Sequence, residues 1–201
     1  MHADSIYEST RMAAGYAFSR PAVHPQIIRR IREGLGVVTP LARALDIGCG
    51  AGLSTAALEP LARSVVGLEP ARAMLTHRRS VAPRASFVAA RAERLPFGSG
   101  SFDLVAAAGS LNYVDLEKFL PEAARVMTTS GALVVYDFSA GRRLRDDGRL
   151  DAWFEEFERR YPPEPGYDMD VRALAYAGAG LRLTSYAEFE VAVPMTRQAY
   201  V

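Results

Sequence analysis

The chain's strongest constraint on its own fold is the run Ala44-Leu-Asp-Ile-Gly-Cys-Gly-Ala-Gly-Leu-Ser-Thr55. A short apolar stretch ends at Asp46-Ile47, passes through Gly48, Gly50 and Gly52, and then opens a helical pattern at Leu53. A strand entering a helix through alternating glycines gives a backbone with no Cβ atoms to hold a ligand off and with access to positive φ. The helix start behind it presents N–H groups without intrahelical partners. Such a turn belongs to a parallel sheet crossed by helices, and it predicts a small-molecule cofactor loop.

The surrounding chain repeats that alternation. Ile27, Ile28, Ile31 and Leu35 recur at helical spacing. Ala42 to Ile47 reads as a strand, Leu53 to Ala62 as a helix and Ser64 to Leu68 as a second strand. A helix is expected from Ala71 to Val81, then strands at Ser86 to Ala90, Phe102 to Ala108 and Gly131 to Tyr136. Leu116 to Met127 is helical in pattern but contains Pro121, which predicts a short helix restarting at that proline. Strands apolar throughout and separated by helices imply a doubly wound α/β fold, a mostly parallel sheet with helices on both faces. Ligands are then expected at the carboxyl ends of the strands.

At 201 residues the chain is long enough for one ample core and is read as a single domain. A formal net charge of +1 offers no field for a phosphate backbone, so nucleic acid is not expected as a partner. No run is long and apolar enough to cross a bilayer, and Met1 to Gly15 lacks an apolar signal core. The lone Cys49 excludes an internal disulfide framework and, with the rest, predicts a soluble cytoplasmic protein. His2, His24 and His77 show no ligand spacing, so no metal site is expected.

The glycine spacing narrows the cofactor. A dinucleotide fingerprint needs a sixth-position glycine, but that position holds Leu53 counted from Gly48 and Thr55 counted from Gly50. Glu69 then ends the next strand, within Val66-Gly-Leu-Glu-Pro70. A carboxylate there accepts hydrogen bonds from both hydroxyls of a ribose and repels a 2′-phosphate. The ligand is therefore read as carrying an unphosphorylated ribose.

Four elements in order carry a family resemblance: Leu45-Asp-Ile-Gly-Cys-Gly-Ala-Gly52, Gly67-Leu-Glu-Pro70 with Met74-Leu75, Ala92-Glu-Arg-Leu-Pro-Phe97, and Ser101-Phe-Asp-Leu-Val105. Together they resemble the Rossmann-like class I S-adenosylmethionine-dependent methyltransferases, within the small-molecule group that includes ubiquinone/menaquinone-type enzymes. The resemblance covers residues 16–138 and implies S-adenosyl-L-methionine as cofactor and a small molecule as methyl acceptor. It implies that Gly48, Gly50 and Gly52 wrap the methionine portion and that Asp46 holds the loop. Glu69, followed by Pro70, would grip the ribose, and Met74 would pack on the adenine. Ala92 and Glu93 would border the adenine edge, and Ala108 would lie near the sulfonium. Relatives often place an acidic residue before the Ala-Glu pair; here it is Arg91, which cannot accept a hydrogen bond.

Methyl transfer is an in-line displacement that depends mainly on alignment. Gly109 to Asp115 follows the fourth strand and should lie beside the reactive methyl. Where relatives often carry a histidine pair, this chain has Asn112 and Tyr113, and the Asn/Asp-Pro-Pro-Tyr pattern of base- or glutamine-modifying enzymes is absent. Tyr16-Ala-Phe-Ser-Arg-Pro21 resembles a family segment that folds over the cofactor, so Tyr16 and Arg20 are candidates for its carboxylate or for the substrate. Asn112, Tyr113 and Tyr16 are the expected catalytic-side residues, with Arg20 and Tyr113 on the substrate. The rival readings are a non-catalytic cofactor-binding module and, disfavoured by the glycine spacing, a nicotinamide-dependent oxidoreductase.

Several residues have plainer readings. Cys49 reads as a packing residue, His24 as a loop or helix-start residue rather than a base, and Arg142 to Arg145 as a solvated loop. Residues 139–180 form an insertion that could be a substrate lid, though Trp153, Phe154, Phe157 and Tyr161 more simply face a core. Residues 181–201 supply a sixth strand from Leu181 to Val193 and leave no segment for the seventh strand of the family's sheet. An open sheet edge invites association, hence an expected homodimer.

Overall fold

The structure is a computed structural model that describes residues 7–138, 144, 147–162, 169–194 and 196. Helix α1 (Thr10–Phe18), capped by the Ser9 hydroxyl, and helix α2 (His24–Gly34), with Pro25 in its first turn, precede the sheet. Strand β1 (Leu41–Ile47) leads through the glycines into α3 (Leu53–Leu58), and β2 (Ala62–Leu68) follows. A 3₁₀ turn at Met74–His77 and the short α4 (Arg78–Val81) lead to β3 (Ser86–Val88). Then come β4 (Phe102–Ala108), a 3₁₀ turn at Leu111–Tyr113, α5 (Leu116–Val126), β5 (Met127–Tyr136) and α6 (Arg149–Arg160).

All five strands are parallel, in the order β3-β2-β1-β4-β5. The chain winds outward from β1 to β3, then crosses back to place β4 on the other side of β1. Loops leaving β1 and β4 therefore diverge to opposite faces, and a crevice opens between them at the carboxyl ends. Both faces of the sheet are covered. Leu45, Ile47, Val105 and Ala107 pack with Phe119, Leu120, Ala123 and Val126 of α5. Ala44, Leu104 and Ala106 pack with Ile28 of α2 and Leu58 of α3. Alternate residues of one strand thus enter different cores, which is why these strands read as unbroken apolar runs.

Four expectations change. Helix α5 runs unbroken from Leu116 to Val126 with Pro121 inside it, rather than restarting there. Pro121 faces solvent, while Phe119, Leu120, Ala123 and Val126 are buried. Burial of those four side chains outweighs the ~3 kcal/mol an interior proline costs. The helix expected over Ala71 to Val81 is only the 3₁₀ turn and α4.

Leu181 to Val193 forms no strand: within the described residues no ladder partner meets it, so its alternating side chains have no second sheet face to bury. Its held points are side-chain contacts, with Gln26 donating to the Ala192 carbonyl at 3.1 Å and Arg30 lying over the Phe189 ring. On α6, finally, no residue is buried. Trp153, Phe157 and Tyr161 are exposed and stack on one another instead of entering a core. Arg142, Arg143 and Arg145 lie outside the described residues.

Candidate active site

The glycine loop is built over a buried carboxyl. Asp46, fully buried at the end of β1, accepts hydrogen bonds at Oδ2 from the Ser54 hydroxyl (2.7 Å) and the Thr55 hydroxyl (2.6 Å) in the first turn of α3. One side chain thus ties the strand to the helix beneath the turn. Burial pushes the Asp46 carboxyl up to about 6; the two hydroxyls oppose that shift and nearby Glu69 adds to it. Oδ1 of Asp46 is buried with no partner. An acceptor in that state is costly unless a donor or positive charge arrives.

Above Asp46, Gly48, Gly50 and Gly52 have φ of 63°, 55° and 100°. All three lie in the left-handed region, where a side chain is strained. Gly48 is doubly required, since a Cβ there would lie 2.5 Å from the Ser110 Cβ. Ser110 follows β4 and donates from Oγ to the Ile47 carbonyl at 2.7 Å, so the ends of β1 and β4 are clamped together.

Glu69 stands at the exit of β2 and braces the glycine loop. Its Oε2 accepts from the Gly50 N–H at 3.0 Å and its Oε1 from the Ala71 N–H at 2.9 Å. Burial raises its pKa while those two N–H donors pull the other way. Each carboxylate oxygen has a second lone pair, so a ligand's hydroxyls can still donate to it. Cys49 is buried beside these acids, and burial first, then Asp46 and Glu69, push its thiol well up. A thiol in that setting packs rather than attacks.

These elements enclose a cavity of about 540 Å³. Gly48, Gly50, Glu69, Pro70, Met74, Ala92, Glu93 and Ala108 line it, as do Tyr16, Arg20 and Tyr113. Asp46 and Gly52 support the loop without lining the cavity, and Asn112 stands in the turn before Tyr113 but off the wall. Arg91 Nε lies 3.4 Å from Glu93 Oε2, so the basic residue at the unusual position pairs with the neighbouring acid. Glu93 also accepts the Asp115 N–H at 3.2 Å.

An aromatic group closes the N-terminal side. Tyr7 donates to the Tyr113 hydroxyl at 3.0 Å and meets Tyr16 and Tyr113 edge-on, and the Arg20 guanidinium lies 4.2 Å over the Tyr16 ring. Ser110, within the segment expected beside the methyl, lines the cavity, and so do Tyr7, Glu8, His24, Asp137 and Phe138, to which the sequence assigns no role there. His24 begins α2 as expected, but Nδ1 lies 2.9 Å from the Tyr136 hydroxyl. Burial, then the charge of Arg20, lower its pKa to about 4. The missed signal was positional: Asp137 and Phe138 directly follow the apolar run of β5, where an α/β fold places its ligands.

A parallel 3-2-1-4-5 sheet with an acid-braced glycine loop at the carboxyl ends of its strands is the class I methyltransferase type of Rossmann-like fold. Residues 45–135 match the family model described as a methyltransferase domain, and the chain is similar to proteins named as methyltransferases. A demethylmenaquinone methyltransferase of Clavibacter sepedonicus is 34% identical over 148 residues, covering 69% of this chain and 52% of that protein. An uncharacterized methyltransferase of Synechocystis is 32% identical over 103 residues, 50% of this chain and 49% of the relative. The chain spans about half the length of these curated relatives. In fold it is similar to a structure assigned as an S-adenosyl-L-methionine-dependent methyltransferase of Methanococcus maripaludis. That match has a TM-score of 0.59 at 20% identity and covers 75% of this chain and 74% of the other. Among the described residues no helix is long and apolar enough to cross a membrane.

Proposed function

We propose that this protein transfers a methyl group from S-adenosyl-L-methionine to an oxygen, carbon or nitrogen nucleophile of a small molecule. The observation that carries the reading is the Glu69 carboxyl, fixed by the Gly50 and Ala71 N–H groups at the wall of the cavity. It is pre-oriented toward paired hydroxyl donors, at no further cost in side-chain ordering.

The other residues fit the same cofactor. The unpartnered Asp46 Oδ1 gives the methionine end a negative charge beneath the glycine loop. Met74 and Ala92 offer apolar contact for an adenine, with Glu93 at its edge. Arg20, held over Tyr16, supplies a cation for a carboxylate. When bound, the cofactor supplies a methyl on a positively charged sulfur. The protein's part is alignment, with Tyr113, Tyr16 and the Ala108–Gly109 turn bounding the acceptor's side, Asn112 setting the turn behind Tyr113, and Tyr7 helping to exclude water. Such positioning is worth ~7–11 kcal/mol of barrier when reacting atoms are well aligned. A free, buried Cys49 suits work in a reducing cytoplasm.

Thermal shift with S-adenosylhomocysteine and with NAD, followed by transfer of labelled methyl to a panel of phenols, amines and activated carbon acids, tests the reading. Stabilisation by the first ligand alone and label in one acceptor class are expected. Stabilisation by NAD alone overturns it.

A further inference from the structure

Among the described residues Glu8, Glu69, Glu93 and Asp137 bring carboxyl groups to the cavity. Glu69 is held by the Gly50 and Ala71 N–H groups, and Glu8 is close enough to act on it electrostatically. Glu93 is held by Asp115 and Arg91. Asp137, exposed, directly follows the last residue of β5. The Gly109 N–H donates to the Tyr136 carbonyl at 2.9 Å, which sets the first residue past β4 against the last of β5. A Cβ on Gly109 would come within 3.3 Å of Asp137 Oδ1, and Gly109 has a φ of 59°. With no Cβ at Gly109, the exposed Asp137 carboxyl stays open to the cavity, which Ala108 also lines. Its only hydrogen bond among the described residues is a local one, from the Phe138 N–H to Oδ1 at 2.7 Å.

His24, also on this side, is poorly suited to take a proton. Its Nδ1 is occupied by the Tyr136 hydroxyl, and burial with the nearby Arg20 charge disfavours the cationic ring. Aromatic side chains bound the rest of this half, with Phe138 edge-on to His24 and Tyr113 across the cavity. A neutral donor group on a small acceptor thus meets the Asp137 carboxyl beside largely aromatic walls.

We propose that Asp137 receives the hydrogen of the methyl acceptor's hydroxyl, which makes the acceptor a neutral, hydroxyl-bearing small molecule held at the tips of β4 and β5. This rests on the methyltransferase reading above. In the step, the acceptor oxygen bonds to the methyl carbon as the carbon–sulfur bond breaks with its electron pair left on sulfur. The hydroxyl proton passes to the Asp137 carboxylate, and S-adenosylhomocysteine is the second product.

The test uses the full chain saturated with S-adenosylhomocysteine and two probes, phenol and its methyl ether anisole, titrated by ligand-observed NMR. One charge-assisted hydrogen bond predicts that phenol binds about ten-fold tighter than anisole. In Asp137→Ala that preference falls to within about two-fold, while S-adenosylhomocysteine affinity stays within about three-fold of wild type. Asp137→Asn, of nearly the same shape, guards against a folding defect and is expected to reduce the preference as well. Equal binding of the probes by wild type, no binding of phenol, or a preference that survives Asp137→Ala overturns the assignment. Failure of S-adenosylhomocysteine to bind wild type instead overturns the reading beneath it.

Discussion

Asp46→Asn isolates the cost of the ionised carboxyl under the glycine loop. In the folded chain burial raises this group from 3.8 to about 6, so the folded state binds its proton more tightly than the unfolded state does. Its contribution to stability is therefore fully present below pH 3.8 and is lost as pH rises through about 6. A difference of that size corresponds to ~3 kcal/mol. Asparagine keeps the shape and can still accept a hydroxyl from Ser54 or Thr55, but it does not titrate. The stability of the variant relative to wild type should thus rise by ~3 kcal/mol between pH 3.5 and pH 7.

The difference matters more than either curve. Glu69 is also raised and loses stability in the same direction, whereas His24, lowered to about 4, loses stability as pH falls. Both persist in the variant and largely cancel in the subtraction. Urea unfolding of the two proteins, followed by far-ultraviolet dichroism at half-unit steps of pH, gives the comparison. A stability difference constant within ~0.5 kcal/mol over the range would refute the claim that Asp46 is ionised at a cost.

Three further outcomes follow from packing and backbone geometry. Gly48→Ala should lose ~2–5 kcal/mol, from a left-handed φ and overlap with Ser110, and adding Ser110→Gly should return only the overlap part; denaturant melts of the single and double variants check this. Pro121→Ala, at an exposed position inside α5, should raise stability by ~1–3 kcal/mol with unchanged cofactor affinity, read by urea midpoint and calorimetry. Tyr7→Phe removes the hydroxyl that reaches Tyr113 and leaves the ring contacts, so thermal stability should change by under ~1 kcal/mol while water protection of the cavity falls, read as faster exchange of the Tyr113 amide.

Where local chemistry and global packing agree, the chain is readable. The glycine loop, Glu69 and Met74 could be placed from residue order because a strand-turn-helix with an acid at the next strand end serves few ligands. Asp46 was legible as a loop-holding residue, though its partners Ser54 and Thr55 appear only once α3 is folded back against β1. Asp137 and His24 were not legible as cavity residues, because their meeting depends on β5 lying beside β4 and α2 packing across it. Period-two alternation in Leu181 to Val193 misled, since alternation describes a strand's faces and says nothing of a neighbour to pair with. Pro121 misled in the opposite direction, because a local helix penalty was set against burial that only the sheet supplies.

Glu69 is proposed to serve both the loop and a ribose. Isothermal titration of the full chain with S-adenosylhomocysteine is the direct measurement, made on wild type and on Glu69→Ala, with folding checked by dichroism. Saturable binding by wild type, weakened about ten-fold or more in the variant through loss of a charged acceptor, is the predicted result. No binding by wild type, or equal affinity in a folded Glu69→Ala, would contradict it.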